Sequence, residues 1–308
     1  TTPILKDTFH ELQLSKALLH GHDIWPFSVQ VLQAGKAEFI GHRIQGYLGL
    51  RDEIYCFVGQ SLSDNELHAI KLIDHPHIKG EGITDQLRLD FDAILKWNHP
   101  NIVRWIDYKE VDEHLVIVQE LIQGEKLSHR LRKTGVTRAE AVTYFRQIMQ
   151  MLSHLHAPGM KAGALSPENL LLKSHDELVL THFNNLGELL SSAQSPTPQS
   201  QRTYQEALYL SPEMIQGQTA DHRSDLYIAG VILYHMMAGH PPFSEGTTRT
   251  VLTDHVASPA PLLQDRKHPL NQIIQKLMEK TPSKRLQSAD EVLQILNGLI
   301  EKGKVAAL

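Results

Sequence analysis

The chain has 308 residues, a formal net charge of −5, 41% hydrophobic residues and one cysteine, Cys56. This length and apolar content can form two lobes with ordinary buried cores, while a single cysteine excludes an intrachain disulfide and is compatible with the reducing cytoplasm. The slightly negative charge, without a long basic run, gives no reason to expect a nucleic-acid backbone or direct membrane contact.

Residues 1–40 form the least regular part of the sequence. The spacing of apolar residues over 8–19 predicts a helix that stops at Gly21, and the alternation over 26–40 suggests strands. We interpret residues 1–40 as an N-terminal extension packed on the domain. Because the chain begins with Thr1 rather than Met, we expect it to be part of a longer protein.

Residues 41–123 predict a small, strand-rich lobe. Thr84 opens a helical run with apolar residues on one face, which ends before Pro100. The runs typical of strands, rich in Ile, Val, Leu or Tyr, are 43–49, 53–59, 67–73 and 114–121.

Residues 124–308 predict a larger, mainly helical lobe. A capping box at Thr137 and Glu140 starts a long amphipathic helix. The run 226–238 is apolar almost all round and ends at Gly239, so it predicts a buried central helix, and it is too short to span a bilayer. Further predicted elements are a hairpin of 170–172 and 178–181, a short helix at Pro212, helices 270–279 and 288–300, the latter behind a capping box at Ser288, and a flexible surface segment at 191–203.

Several short motifs occur along residues 42–300 in an order that resembles the eukaryotic-type Ser/Thr protein kinase family, with a slight similarity to its bacterial members. The resemblance implies an α+β, bilobal protein-kinase-like fold. Any one motif alone would be weak, and the ordered set is specific. The motifs are Ala69-Ile70-Lys71, His99-Pro100-Asn101-Ile102-Val103, Glu120 with Gly124, Leu165 with Pro167-Glu168-Asn169, Ser211-Pro212-Glu213, Asp225 to Gly230, Pro241-Pro242-Phe243 and Pro282-Ser283-Lys284-Arg285.

The resemblance implies that the supporting scaffold of the fold is kept. In the family, Glu213 and Arg285 form a buried ion pair, and Asp225 caps the backbone of the catalytic loop. Phe183 matches the Phe of the Asp-Phe-Gly motif and is expected to be structural.

The same resemblance implies losses at the catalytic loop. Ala162, Gly163 and Ala164 stand where the family has His-Arg-Asp, and Ser166 replaces a lysine. Alanine cannot accept the substrate proton, and a general base typically contributes roughly 10²–10⁴-fold to the rate. Gly163 also lacks the arginine side chain that receives an activation-loop phosphate in the family.

Two further stretches differ from the family pattern. His182-Phe183-Asn184 stands where Asp-Phe-Gly holds magnesium, and imidazole is a poor magnesium ligand. The glycine-rich loop, 48–54, keeps Gly49 and has Arg51 and Ile54 at its second and third glycine positions. Its acidic residues would also repel a triphosphate.

A remnant of a nucleotide site is nevertheless expected. Lys71, Asp90, Glu120, Ile122 and Asn169 stand at positions where the family contacts the nucleotide or its phosphates. A Lys71–Asp90 pair would be one methylene shorter than the usual Lys–Glu pair. Alternatively, Lys71 is a retained lysine that snorkels at the edge of the cleft. Weak or metal-independent binding of ATP or ADP is therefore a second possibility beside the absence of a cofactor.

The histidines do not predict a metal site. There are nineteen in the chain, but no His-Glu-x-x-His or Cys-x-x-Cys arrangement occurs. We therefore expect no bound metal.

The leading functional expectation is a pseudokinase, a kinase homologue that is not an enzyme and serves as a protein-binding, scaffolding or regulatory module. The alternative is an unorthodox nucleotide-using transferase that works through Lys71 and Asn169, and a third possibility is a nucleotide held as a structural ligand. Expected partners are proteins or other domains of the same polypeptide, and a cytoplasmic location is expected. Ser195 and Thr197 precede prolines and are candidate phosphorylation sites.

Overall fold

The computed structural model describes residues 38–51, 54–73, 83–111, 114–163, 165–183 and 203–308. Predictions for 1–37, Ala164, Asn184 and the segment with Ser195 and Thr197 lie outside the described residues. The chain divides into two compact units. The first contains the residues up to Trp97 and Arg104–Leu121, and the second contains Asn98–Val103 and Ile122–Leu308.

The first unit is built on a six-stranded antiparallel sheet with the order β1-β2-β3-β4-β6-β5. Among the described residues, the helix α1 follows β4. The elements are β1 Glu38–Phe39, β2 His42–Arg51, β3 Ile54–Ser61, β4 Leu67–Ile73, α1 Asp85–Ile94, β5 Trp105–Val111 and β6 His114–Glu120.

The predicted strands of this unit are confirmed, and β4 has the predicted bounds. The helix is confirmed as well, since the Thr84 hydroxyl caps it by accepting a hydrogen bond from the Leu87 amide. The strand β5 was not predicted; only Trp105 is buried in it, and charged residues occupy this edge of the sheet. Edge strands commonly carry such charges, and these weaken the apolar alternation that reveals a strand.

Apolar side chains pack on this sheet and between it and α1. One face carries a buried cluster that includes Phe57, Ile70 and Val116. Elsewhere in the unit, the Phe91 ring of α1 lies with its centroid 5.4 Å from Trp105 and 5.0 Å from Tyr108 of β5. Such tilted ring pairs add to the energy of area burial.

The second unit is mainly helical with a three-stranded sheet of order β7-β8-β9. This α+β composition agrees with the predicted fold class. The elements are β7 Glu125–Lys126, α2 Leu127–Lys133, α3 Arg138–His156, β8 Leu170–Leu172, β9 Leu178–Leu180, α4 Tyr204–Ala207, α5 Pro212–Ile215, α6 His222–Ala238, α7 Thr248–Ala257, α8 Leu270–Leu277, a 3₁₀ turn Pro282–Lys284 and α9 Ala289–Glu301.

The central helix α6 is buried along nearly its whole length, as predicted. It begins four residues before the apolar run because Asp221 caps it, and it ends at Gly239, whose φ of 84° is accessible mainly to glycine. The capping box of α3 is confirmed by hydrogen bonds in both directions between Thr137 and Glu140.

The capping box predicted for α9 is only half formed. The Ser288 hydroxyl accepts the Glu291 amide, but the Glu291 carboxylate accepts the amide of Gln287 rather than that of Ser288. The helices α2 and α7 and the strand β7 were not predicted from the sequence.

The unit boundaries differ from the predicted division between 123 and 124. The change of unit falls after Leu121, and residues 98–103 belong to the second unit. The reason is a set of hydrogen bonds to β9: the Val103 amide donates to Leu180 at 2.9 Å, and the Leu180 amide donates to Asn101 at 2.9 Å. Because these partners are far apart in sequence, local patterns do not reveal them.

Candidate functional site

The loop before β8 is anchored by a buried carboxylate on α6. Asp225 is 2% exposed and accepts the amide of Ala162 at 2.8 Å and that of Gly163 at 3.2 Å. His156 contributes a third contact, with Nε2 2.9 Å from Oδ2 of Asp225. The predicted capping of the loop by Asp225 is therefore confirmed, whereas the contact from His156 was missed because 69 residues separate the two.

The loop itself is a tight turn. Gly163 has a φ of 66°, a left-handed conformation that glycine adopts without strain. Ala162 is fully buried, and the amide of Asn169 donates to the Ser166 carbonyl at 3.0 Å. The Ser166 hydroxyl is buried without a hydrogen-bond partner in the described part of the chain. Ala164 lies outside the described residues.

The predicted ion pair between Glu213 and Arg285 is present and buried. Both residues are 4% exposed, and two guanidinium nitrogens each donate to a different carboxylate oxygen at 2.7 Å. Ser224 donates to the same carboxylate at 2.5 Å. Burial by itself would raise the pKa of Glu213, but the hydrogen bonds from Arg285 and Ser224 outweigh it and lower that pKa.

The remaining donors of Arg285 bind backbone carbonyls. These are the carbonyls of Glu279 at 2.7 Å, Arg223 at 2.9 Å and Lys280 at 3.2 Å. The guanidinium also lies 4.9 Å from the centroid of the Tyr227 ring. All the charge of this pair is thus matched by polar or aromatic groups, as a buried pair requires.

Lys71 lies on β4 of the first unit. It is 7% exposed, and its cross-strand neighbours are Cys56 on β3 and Ile117 on β6, which share its face of the sheet. Desolvation lowers the pKa of the Lys71 ammonium to about 8, opposed by the nearby Cys56. The lysine is thus buried in the sheet rather than exposed at its edge.

The other predicted residues of the first unit have defined partners. Asp90 on α1 accepts a hydrogen bond from Gln86 at 3.0 Å. Glu120 ends β6, and both its carboxylate and its amide bind the backbone of Arg104, at 2.8 and 3.0 Å. The proposed pairing of Asp90 with Lys71 stays a prediction.

The predicted residues of the second unit lie along β8 and β9 and their flanks. Asn169 is 5% exposed and precedes β8, and its carbonyl accepts the amide and the hydroxyl of Thr181 at 2.9 and 3.2 Å. His182 is half-buried and Phe183 is buried just after β9. Ile122 is half-buried before β7. Asn184 lies outside the described residues.

Gly124 shows why a glycine is needed beside these strands. A Cβ at this position would lie 2.5 Å from the Leu172 carbonyl oxygen of β8. The backbone of the segment before β7 can therefore approach β8 only without a side chain. This close approach could have been predicted only from the family pattern.

The hairpin of β2 and β3 contains the glycine-rich loop positions. Gly49 has a φ of 143°, and Ile54 is 5% exposed, so this isoleucine belongs to the core of the first unit. The Arg51 side chain and residues 52–53 lie outside the described part. Burial gives Ile54 a packing role in place of the family's glycine.

No group of three His, Cys, Asp or Glu residues in the described ranges is close enough to hold a metal ion. No helix among the described residues is long and apolar enough to cross a membrane.

Comparison with known proteins gives consistent results. Residues 55–296 match the protein kinase domain family. The serine/threonine-protein kinase pkn2 of Myxococcus xanthus is 30% identical over 250 residues, which cover 78% of this chain and 30% of the relative. The serine/threonine-protein kinase PknD of Mycobacterium tuberculosis is 28% identical over 230 residues, covering 73% of this chain and 34% of that protein.

Among solved structures, the kinase domain of Mycobacterium tuberculosis PknI is similar, with a TM-score of 0.63. The two chains are 21% identical, and the match covers 86% of this chain and 98% of the other. This likeness supports the fold, and the predicted kinase-like architecture is confirmed. The chain spans only about a third of the length of the first bacterial relatives, at 30% and 34%.

The expectation that the chain is not an enzyme is wrong. The relatives from bacteria and from Arabidopsis thaliana are named serine/threonine-protein kinases, and these names point to an enzyme. That expectation relied on two positions: Ala164, where the family has its general base, and His182, where the family has its magnesium ligand. The contacts of Asp225 with the loop amides and of Glu213 with Arg285 are present.

Proposed function

Because the chain belongs to the protein kinase family, we propose that it is a nucleotide-dependent phosphotransferase domain that works through Lys71 and Asn169. By analogy with the names of its relatives, the acceptor is a serine or threonine hydroxyl of a protein. The transfer is slow compared with that of ordinary kinases. The domain also has a regulatory, protein-binding role within a longer polypeptide.

The observation that carries this proposal is the burial of Lys71. An ammonium that is 7% exposed, with a pKa lowered to about 8 by desolvation, is expensive to keep in a sheet. Residues that lower stability are typical of functional sites, where they are retained for activity. At neutral pH the amine is still mostly protonated, so it can neutralise phosphate charge.

The slow rate follows from the groups at 164 and 182. Ala164 has no group to accept the hydroxyl proton, and general bases typically contribute roughly 10²–10⁴-fold. Phosphoryl transfer depends mainly on positioning and charge neutralisation, so a slow reaction without the base is chemically reasonable. The scaffold held by Asp225 supports the positioning.

Nucleotide binding is proposed to be weak and independent of magnesium. His182 offers an imidazole, and hard divalent cations prefer oxygen ligands. The binding energy would come mainly from the positive charge of Lys71. ATP should therefore raise the melting temperature equally with magnesium and with a chelator, and Lys71→Met should abolish the rise.

The experiment that tests the catalytic part restores the missing base. Ala164→Asp should raise the rate of phosphate transfer from ATP by roughly 10²-fold or more, since the anchored loop already has its turn. Ala164→Asn, which is similar in size but cannot take up the proton, is the matched control and should leave the rate low. Equal rates in all three proteins would contradict the proposal.

The proposed partners are a substrate protein and other domains of the same polypeptide. The match covers only 30% of pkn2, and this supports the proposal that the domain works within a longer polypeptide. A cytoplasmic location and the absence of nucleic-acid and direct membrane partners belong to the same proposal, supported by the −5 charge and the single cysteine. Co-purification with the full-length polypeptide's other domains would test the regulatory role.

A further inference from the structure

Two buried histidines in the first unit face each other away from Lys71. His42 begins β2 and is 8% exposed, and His68 lies on β4 and is 5% exposed. Nε2 of His42 is 2.8 Å from Nδ1 of His68, and the ring centroids are 5.1 Å apart. This is a direct hydrogen bond between two imidazoles.

The positions of the protons follow from the outer nitrogens. Nδ1 of His42 is 3.0 Å from the Ile40 carbonyl oxygen, which can only accept, so this nitrogen carries a proton. In the neutral ring, Nε2 of His42 then has a lone pair. His68 must therefore donate through Nδ1, which leaves its Nε2 without a proton and 3.8 Å from a carboxylate oxygen of Glu66.

A first added proton improves this arrangement, whereas a second one breaks it. The first goes to Nε2 of His68, where it turns a lone pair facing Glu66 into an N–H facing a carboxylate. The second would have to go to Nε2 of His42. Two N–H groups would then face each other across 2.8 Å, and the hydrogen bond would be lost.

We propose that His42 and His68 form a pH-sensitive latch that is closed with zero or one added proton and opens with two. The proposal does not depend on nucleotide binding. It concerns the edge of the sheet where β1 and β2 meet.

Charged groups lie beside His68 in the turn before β4 and on β6. Glu66 and Asp64, in the turn between β3 and β4, are carboxylates whose charge favours protonation of His68. Desolvation first, and the charge of His42 second, lower the pKa of His68 and oppose them. On β6, Glu120 stands opposite His68, with its carboxylate bound to the Arg104 amide.

The strand between the two histidines carries no charge at the contact. Ser61 and Gly59 of β3 are the cross-strand neighbours of His42 and His68. A Cβ on Gly59 would lie 3.0 Å from Cβ of His42 and 2.5 Å from a methyl carbon of Ile70, so the glycine makes room for the rings. Nothing in β3 can neutralise a second positive charge.

The latch holds a strained turn. Ile40 has a φ of 44° and Gly41 a φ of 77°, and they connect β1 to β2. A β-branched residue in the left-handed region is a rare, unfavourable conformation. The His42 ring ties this turn, through Nδ1 and the Ile40 carbonyl, to His68 on β4. Loss of the bond between Nε2 of His42 and Nδ1 of His68 in acid should therefore separate the turn from β4, while the bond to Ile40 keeps its donor.

Nuclear magnetic resonance of the imidazole nitrogens in the unmodified chain tests the proton positions. Above pH 7 both His42 and His68 should be Nδ1–H tautomers, and one of the two rings should take up a proton well before the other. A Nε2–H tautomer for His42, or independent titration of both rings at about 6.5, would overturn the proposal.

Chemical unfolding as a function of pH tests the energetic consequence. His42→Gln removes the second proton site, whereas His175→Gln changes a histidine whose side chain is 77% exposed. Between pH 6.5 and 4.5, the unfolding constant of the unmodified chain should rise more than that of His42→Gln, by up to about 50-fold. The ratio of the unfolding constants of the unmodified chain and His175→Gln should stay constant over the same pH range.

The 50-fold figure is the upper limit, for unfolded histidines that titrate at about 6.5 and a folded latch that stays closed, without the second proton, down to pH 4.5. Equal pH dependence of the unmodified chain and His42→Gln would refute the latch. Zinc binding in a one-to-one ratio that His42→Gln abolishes would also overturn it, because the pair would then be a metal site.

Discussion

Replacing Lys71 with methionine should stabilise the domain at neutral pH while removing its function. The lysine is 7% exposed, and desolvation lowers its pKa from 10.5 to about 8. The difference of 2.5 units, at about 1.36 kcal/mol each, corresponds to about 3 kcal/mol of destabilisation by the charged form. Methionine has a similar length and no charge, so a gain of about 1–3 kcal/mol is expected.

The pH dependence fixes the sign of this effect. Below pH 8 the amine of Lys71 is protonated in both the folded and the unfolded chain, and the folded chain carries the full penalty. Between pH 8 and 10.5 the folded chain loses its proton first, so the stability of the unmodified protein should rise over this range. The Lys71→Met variant lacks that rise, and its advantage should shrink.

Urea unfolding at pH 7 and at pH 10 measures both effects. Lys96→Met is the matched control, because Lys96 is exposed and its loss should change stability by less than about 0.5 kcal/mol. A Lys71→Met variant that is less stable than the unmodified protein at pH 7 would refute the reasoning. An advantage that is the same at both pH values would show that the charge is not its cause.

Other substitutions test the scaffold. Arg285→Met should destabilise the fold by about 3–5 kcal/mol because it leaves the Glu213 carboxylate buried and unpaired, and adding Glu213→Gln should recover part of the loss in thermal unfolding. Asp225→Asn should cost about 1.5–3 kcal/mol and speed hydrogen exchange at the two amides that Asp225 binds. Gly124→Ala should cost about 1–3 kcal/mol because the new Cβ meets a backbone oxygen at 2.5 Å, whereas Gly298→Ala, in a helix with no atom within 4 Å, should stabilise by up to about 1 kcal/mol.

Three outcomes would contradict these expectations. The first is an Arg285→Met protein as stable as the parent, which would mean that solvent reaches the carboxylate left behind. The second is unchanged exchange at the loop amides of Asp225→Asn. The third is equal stability of Gly124→Ala and Gly298→Ala, which would show that the close backbone approach at Gly124 is not a real constraint.

Local patterns predicted the elements whose signals are local. The bounds of β4, the capping box of α3 and the buried helix α6 follow from apolar periodicity and from capping residues next to them in sequence. The edge strand β5 and the short helix α2 were missed, since their exposed charged residues hide the pattern. One of the two hydrogen bonds predicted for the α9 capping box was wrong, because the Glu291 carboxylate accepts the amide of Gln287 instead of that of Ser288.

Contacts between distant residues required more than local patterns. Glu213 and Arg285 are 72 positions apart, and only the family resemblance paired them. The contact of His156 with Asp225 had no sequence signal, since it depends on how α3 and α6 meet. The residues at 162–164 and 182 show which catalytic groups of the family are replaced, but they did not by themselves decide whether the chain is an enzyme.

The most direct test of the proposed function is transfer of labelled phosphate from ATP to protein by the purified chain. The measurement compares the unmodified chain with Lys71→Met over long incubations, at equal concentration and after the same purification. The account predicts slow transfer by the unmodified chain and none by Lys71→Met. Transfer that is equal in both proteins, or absent from the unmodified chain, would contradict it.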